Sequence, residues 1–360
     1  MSLQRQITFW LILAALTVVF LFVFRSILLP FVAGMALAYC LDPIADWFEA
    51  RGFSRMASTL TILAIFVLMF ILFLLVLIPV VAEQLFAFIE NFPGYIERLR
   101  TLANDWLPDS VKELLRQNGN DLPSNVPEVA GSIGSWLTSI LTSLLSGGQA
   151  ILNIGSLFVV TPIVAFYLLY DWDRMVAKFR SWLPQDHAPT IEGIFKEIDD
   201  VLAGFIRGQG LVCATLAIFY TASLLLVGLN FAVLIGMAAG ILSFIPYVGS
   251  TIGLVFSVGV AVVQFWPEWH WILLVLAIFV AGQLLEGYVF QPKFIGDRVG
   301  LHPVTLMFAL FAFGSLFNFV GLLIAVPAAA AIGVLVRFSL QQYLQSPYYQ
   351  GKASDDGEQQ

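Results

Sequence analysis

Charge is scarce in this 360-residue chain. Asp, Glu, Lys and Arg make up 11% of it and hydrophobic residues 59%, whereas soluble globular domains run at about 25% charged. That scarcity excludes an ordinary soluble domain, whose surface needs far more charge to stay wet. Only two cysteines, Cys40 and Cys213, and three histidines are present. They leave no disulfide framework and no Cys/His metal spacing, and no metal or cofactor is expected. Both cysteines lie in apolar segments and read as small packing residues. Basic runs are missing, which excludes nucleic acid as a partner. HExxH, GxSxG, Walker A and dinucleotide-binding glycine loops are missing too. The chain is therefore not expected to be an enzyme, and a nucleotide-driven pump has no site. The formal charge of −7 says little about topology, which responds to where Lys and Arg fall.

What the chain has instead is long greasy runs. Residues 59–82 carry no charge at all, and about 20 such residues span a bilayer as a helix. The partner implied is the lipid bilayer, and the fold class is an all-α polytopic membrane protein. The N-terminus lacks a small-x-small cleavage site before Arg25 and reads as a retained first helix. Residues 7–24 and 27–41 read as a tight helical hairpin around Arg25 and Pro30. Residues 57–82 form the clearest span.

Residues 83–149 are too polar to cross. Their acidic residues include Glu83, Glu90, Glu97, Asp105, Asp109, Glu113, Asp121 and Glu128. They read as an extracytoplasmic arm, in which Ile133, Leu137, Ile140, Leu141 and Leu144 fit one helix face that packs on a neighbour. A fourth span, 150–170, is interrupted by Pro162. "DWDRMVAKFRSWLP" after it reads as an interfacial helix, with Trp172, Met175, Val176, Phe179 and Trp182 on one face. A second amphipathic helix carries Ile191, Ile194, Phe195, Ile198, Val201, Leu202 and Phe205, and leads into a fifth span at 211–229.

Orientation follows from the cations. With the N-terminus, Arg51 and Arg55 in the cytoplasm, Arg174, Lys178, Arg180, Lys196, Arg207, Lys293 and Arg298 fall there too. Residues 231–266 are apolar but broken at "SFIPYVGSTIG". At 1.5 Å per residue they are about 50 Å long, too long for one pass and too short for two. Parity makes this stretch a re-entrant hairpin with its tip at Pro246–Gly249, entering from the outer side, where Trp266, Trp269 and Trp271 mark the interface. Residues 303–338, broken at "GSLFNFVG", form a second hairpin entering from inside. The tips, "IPYVG" and "FNFVG", resemble each other. The expectation is about six full spans plus two oppositely oriented re-entrant hairpins, an inverted repeat. Irregular backbone at membrane depth needs protein or water beside it, so a polar cavity is implied.

Glu286 is costly near the end of its span unless paired or hydrated. It reads either as a solute or ion contact or as a structural pair with Arg207. Gln283 lies one turn earlier. Gln209, Asn318, Ser243, Ser250 and Thr251 offer neutral hydrogen-bond partners suited to a small polar solute. Asp297 and Arg298 read as a loop pair, and His302 as a helix cap. His187 and His270 read as loop and interface residues.

"QLLEGYVFQPKFIGDRVGLHPV" and "SFIPYVGSTIG" resemble the autoinducer-2 exporter family, or PerM-type permeases, over almost the whole chain. Glu286, Pro292, Gly296, Gly300, His302 and Pro303 match the first motif. Pro246, Gly249 and Gly253 match the second, and Gly321 sits at the other tip. The resemblance implies a transporter of the bacterial inner membrane, and the cation distribution with span parity puts both termini in the cytoplasm. It implies homo-oligomers, pentamers among them, and an elevator-like movement. It implies export of autoinducer-2 or a similar small polar solute, or Na+(Li+)/H+ antiport at Glu286. A non-transporting membrane scaffold is the third reading. The segments divide as membrane helices 1–82, arm 83–149, fourth span and interfacial helices 150–209, inverted-repeat transport region 210–338 and a polar cytoplasmic tail 339–360, disordered in part.

Overall fold

In lipid a chain must satisfy its own backbone hydrogen bonds, and a helix does so within one segment. A computed structural model describes residues 3–106, 148–183, 185, 188–296, 300–346 and 349, and among them every regular element is helical. The helices are α1 (Leu3–Val23), α2 (Leu28–Glu49), α3 (Arg55–Trp106), α4 (Gly148–Trp182), α5 (Ala188–Val227), α6 (Ala232–Leu242), α7 (Val248–Phe265), α8 (Trp269–Leu285), α9 (Gln291–Phe294) and α10 (Pro303–Leu344). Six segments among the described residues are long and apolar enough to cross a bilayer. Their side chains face outward in the manner of a lipid-exposed surface: Val76 is 72% exposed and Leu226 88%. The chain is a multi-pass membrane protein.

Several boundaries differ from the sequence reading. The helix that carries the third span does not stop at residue 82: α3 runs unbroken to Trp106. The fourth span and the interfacial stretch after it are one helix, α4, and Pro162 lies inside it without ending it. The second amphipathic stretch and the fifth span are likewise one helix, α5. The reason is shared: an amphipathic helix and an apolar one have the same 3.6-residue period. Nothing in the backbone marks the passage from one to the other. Cys40 is exposed and Cys213 half-buried. The amphipathic stretch at 129–146, the acidic residues from Asp109 to Glu128, His187, Asp297 and Arg298 lie outside the described residues.

The chain divides into two compact units. One comprises Met1–Leu63, Val159–Gln209 and Lys293–Gln360; the other comprises Ala64–Phe158 and Gly210–Pro292.

In the first unit α1 and α2 are joined by a short 3-10 turn at Arg25–Ile27. Arg25 lies over the Phe22 ring and donates to the Leu316 carbonyl at 3.4 Å. α2 runs parallel to α4: Thr161 donates to the Pro30 carbonyl, Gly34 packs on Val164 and Tyr39 meets Trp172 edge-on. A buried cluster of Val201, Ala330 and Val334, with Ile194, Ile198 and Leu301 against it, ties α5 to α10. Arg337 pairs with Glu197 at 3.1 Å on the same seam.

α10 is not a rod. Asn318 inside it has φ 54° and ψ −133°, which is not helical. A methyl group on Gly333 would touch Leu301 at 3.4 Å, although a straight helix would separate these residues by about 48 Å. One on Gly314 would meet Leu322 at 2.9 Å, and one on Gly321 would strike the Phe313 carbonyl. All three pairs are centred on residues 317–318. The chain therefore reverses at Asn318.

A second reversal organises the other unit. α6 and α7 are joined by a break at Ser243–Tyr247, with Tyr247 at φ 67°. Gly249 packs on the backbone of Ser243 and Ala239, and Gly253 on Ala239. At the open end the Gln264 amide accepts from Asn230 N–H and donates to the Gly228 carbonyl, both at 2.8 Å. Partner numbers again run in opposite directions. Gly236 and Gly240 of α6 press on Thr221 and Ala217 of α5, and Gly253 of α7 also meets Phe279 of α8. These small residues let helices approach without a hydrophobic driving force. α3 holds the root of α6. Gln84 accepts from Leu234 N–H at 2.9 Å, while Phe88 and Tyr95 pack on Phe231 and Asn230 donates to Tyr95 Oη.

Candidate functional site

Glu286 ends α8, and there the helix widens into a π turn over Glu286–Phe290. Such turns insert a residue and redirect the side chains after them. Glu286 is 7% exposed. Its hydrogen bond from Gln291 is long, at 3.4 Å, and among the described residues it has no basic partner. Tyr220 is fully buried and stacks on Phe279 with centroids 4.5 Å apart. Its hydroxyl lies against Gly282, one turn before Glu286 on the same helix face. A side chain at 282 would collide with it. Neither that hydroxyl nor Thr221 Oγ1 has a hydrogen-bond partner among the described residues. Gln283, one turn before Glu286 on α8, is exposed.

The other candidates fall at the two reversals. In the α6–α7 reversal Ser243 is buried and donates to the Ala239 carbonyl at 2.8 Å. Ser250 is buried, Thr251 exposed and Pro246 half-buried, and Gly249 and Gly253 are the close-contact positions. In the α10 reversal Asn318 is exposed and Gly321 makes the close contact. The two glycines do the same work: each follows the turn and admits the backbone of the preceding helix. Gly296 and Gly300 have φ 65° and 53°, a region that only glycine enters freely. Pro292 is exposed in α9. His302 Nδ1 accepts from Val304 N–H at 3.3 Å, and Pro303 takes the first helical position.

Arg207 has a carboxylate partner, Asp42, at 3.6 Å, and its Nε donates to the Tyr39 carbonyl at 2.6 Å. Gln209, two residues on, is 4% exposed. Asp42 is part of a network the sequence reading missed. Arg55 reaches Asp42, Asp46 and Glu49 at 3.2, 2.8 and 3.1 Å, and its Nε donates to the Leu169 carbonyl at 2.8 Å. Asp42, Asp46 and Glu49 recur at helical spacing on one face of α2, a signal that was there to read. Tyr39 donates to Asp199 at 2.7 Å. Beside these groups lies an open cavity of about 60 Å³, lined by α2, α4 and α5.

Comparison with known proteins accords with this architecture. The chain is 26% identical over 327 residues to "Putative transport protein YrrI" of Bacillus subtilis (strain 168), covering 88% of each chain. It is 26% identical over 351 residues to "Putative transport protein YueF" of the same organism, covering 92% of each. With "Putative permease PerM" of Escherichia coli (strain K12) the identity is 27% over 318 residues, 88% of each. Residues 10–341, from the first helix to the last turns of α10, match the AI-2E family transporter model, and the chain belongs to that family of membrane transporters.

Proposed function

We propose that the chain is a secondary transporter of the bacterial inner membrane that exports a small polar solute, autoinducer-2 or one like it, by an elevator-like movement. One observation carries the proposal: within two apolar tracts the chain reverses, leaving non-helical backbone at Ser243–Tyr247 and at Asn318. Polar groups mark the open ends, namely Gln264 with Asn230 in one and Arg337 with Glu197 in the other. Polar ends belong at an interface. The first arm of one reversal is 11 residues long, about 16 Å, and its return arm is 18 residues, about 27 Å. Both fall short of the ~30 Å hydrocarbon core. Each reversal is then a re-entrant hairpin, the pair makes up an inverted repeat, and Glu286 beside one and Asn318 at the tip of the other are the groups that contact the solute. The termini lie in the cytoplasm, and the working form is a homo-oligomer.

Burial of Glu286 with no basic partner among the described residues supports a second reading, Na+(Li+)/H+ exchange at that carboxylate. Inverted vesicles containing the chain separate the two. Autoinducer-2 transport falls at least tenfold in Glu286→Gln and in Asn318→Ala if the first reading holds; unchanged transport in both removes it. Dissipation of an imposed pH gradient by Na+, lost in Glu286→Gln, supports the second. No movement of solute or ion under any gradient leaves a scaffold.

A further inference from the structure

The cavity between α2, α4 and α5 is unused by the transport reading. Its lining includes Met35, Tyr39, Asp42, Trp172, Asp199 and Arg207. The charges do not cancel evenly. Asp42 is held by Arg55 through one oxygen and by Arg207 through the other. Arg55 is shared with Asp46 and Glu49. Asp199 receives only the Tyr39 hydroxyl and, among the described residues, makes no ion pair. On α5, Asp199 and Arg207 are two turns apart, about 12 Å, with Ala203 between them in the lining. The cavity therefore has one end where the carboxylate, Asp42, is paired with guanidiniums and one end where the carboxylate, Asp199, makes no ion pair among the described residues.

We infer that this cavity binds the ammonium group of a small organic cation at Asp199. Tyr39 points its O–H at Asp199, so the lone pairs of its oxygen are left as acceptors. An ammonium against the free Asp199 oxygen can donate to both. Trp172 stands edge-on to Tyr39, with centroids 6.5 Å apart, and supplies an aromatic wall of the kind that attracts cations. Met35, Leu168 and Ala203 take the alkyl part. A bare metal ion fits poorly, since both Asp42 oxygens and the Leu169 carbonyl are already engaged. Among the described residues no group of three His, Cys, Asp or Glu could hold one. An anion fits poorly as well, because Arg207 is turned to Asp42 and the Tyr39 carbonyl.

The test is isothermal titration of the purified full chain, in a neutral maltoside at fixed ionic strength, with n-butylammonium. Butan-1-ol and Na+ are titrated in parallel. Saturable binding of n-butylammonium is expected, weakened at least tenfold in Asp199→Asn and several-fold in Trp172→Ala. Asp200→Asn, exposed and outside the cavity lining, should bind as wild type. Equal binding of butan-1-ol would show an apolar pocket only, and equal binding of Na+ an inorganic cation site; either overturns the inference. So does absence of saturable binding, or unchanged affinity in Asp199→Asn. If Asp199→Asn does not fold, Trp172→Ala and the butan-1-ol comparison still decide. Failure here leaves the transport reading standing, because the flux test rests on Glu286 and Asn318.

Discussion

Replacing Gly321 with alanine sets two effects against each other. In a helix interior alanine is favoured over glycine by about 1 kcal/mol. The added methyl, however, would strike the Phe313 carbonyl, with the Gly314 nitrogen at 3.1 Å behind it. The obstacle is backbone, which cannot swing aside as a flexible side chain does. The two arms must separate, and overpacking of this kind costs about 1–3 kcal/mol, more where the neighbour is rigid. The clash should win, for a net loss of about 1–2 kcal/mol. Gly259 supplies the control. It sits inside α7 with nothing within 4 Å of an added methyl, so Gly259→Ala should gain up to about 1 kcal/mol. Thermal unfolding of both variants in detergent gives the answer, with melting temperatures moving in opposite directions. If Gly321→Ala melts with or above the wild type, the arms do not meet at residue 321, and the reversal at Asn318 is misdrawn.

Cysteines at Leu301 and Gly333, in a chain whose Cys40 and Cys213 are replaced, should cross-link readily, whereas a straight helix would hold them about 48 Å apart. Mass spectrometry of the oxidised protein checks this. Gln264→Leu strips partners from Asn230 N–H and the Gly228 carbonyl. It should cost about 1–3 kcal/mol and speed amide exchange at residues 228–234. Arg55→Ala frees three carboxylates from a guanidinium whose side chain is 17% exposed. Discounted for the more exposed partners, the loss should be about 1–3 kcal/mol in detergent melting. Lysine should recover less than half of it, since it lacks the planar fork.

Much of this was legible in the chain. Pro246 and Gly249, and Asn318 and Gly321, stand out because helix breakers in a greasy tract need a reason. His302 before Pro303 reads as a helix start. Three kinds of information were hidden. Helix continuity past residues 82 and 170 has no local marker, because polar and apolar helices share one period and Pro162 stops a helix only where water or a clash rewards the break. The partner of Arg207 depends on which helix lies alongside α5, and Tyr39 and Asp42 on α2 are more than 160 residues away in sequence. Which face of α8 meets Tyr220 is hidden as well, because α8 is apolar on nearly every side.

The support under α6 has a mechanical consequence. Phe231 precedes this helix with φ 60° and makes no side-chain cap, so Gln84 completes the first turn from outside. Gln84 belongs to α3, which continues to Trp106 and leads into the acidic segment. A displacement of α3 loads the Gln84 amide and the Phe88–Phe231 contact before it reaches any residue of the turn at Ser243–Tyr247. The α6–α7 pair is thus tethered at its base, and α3 holds the leash.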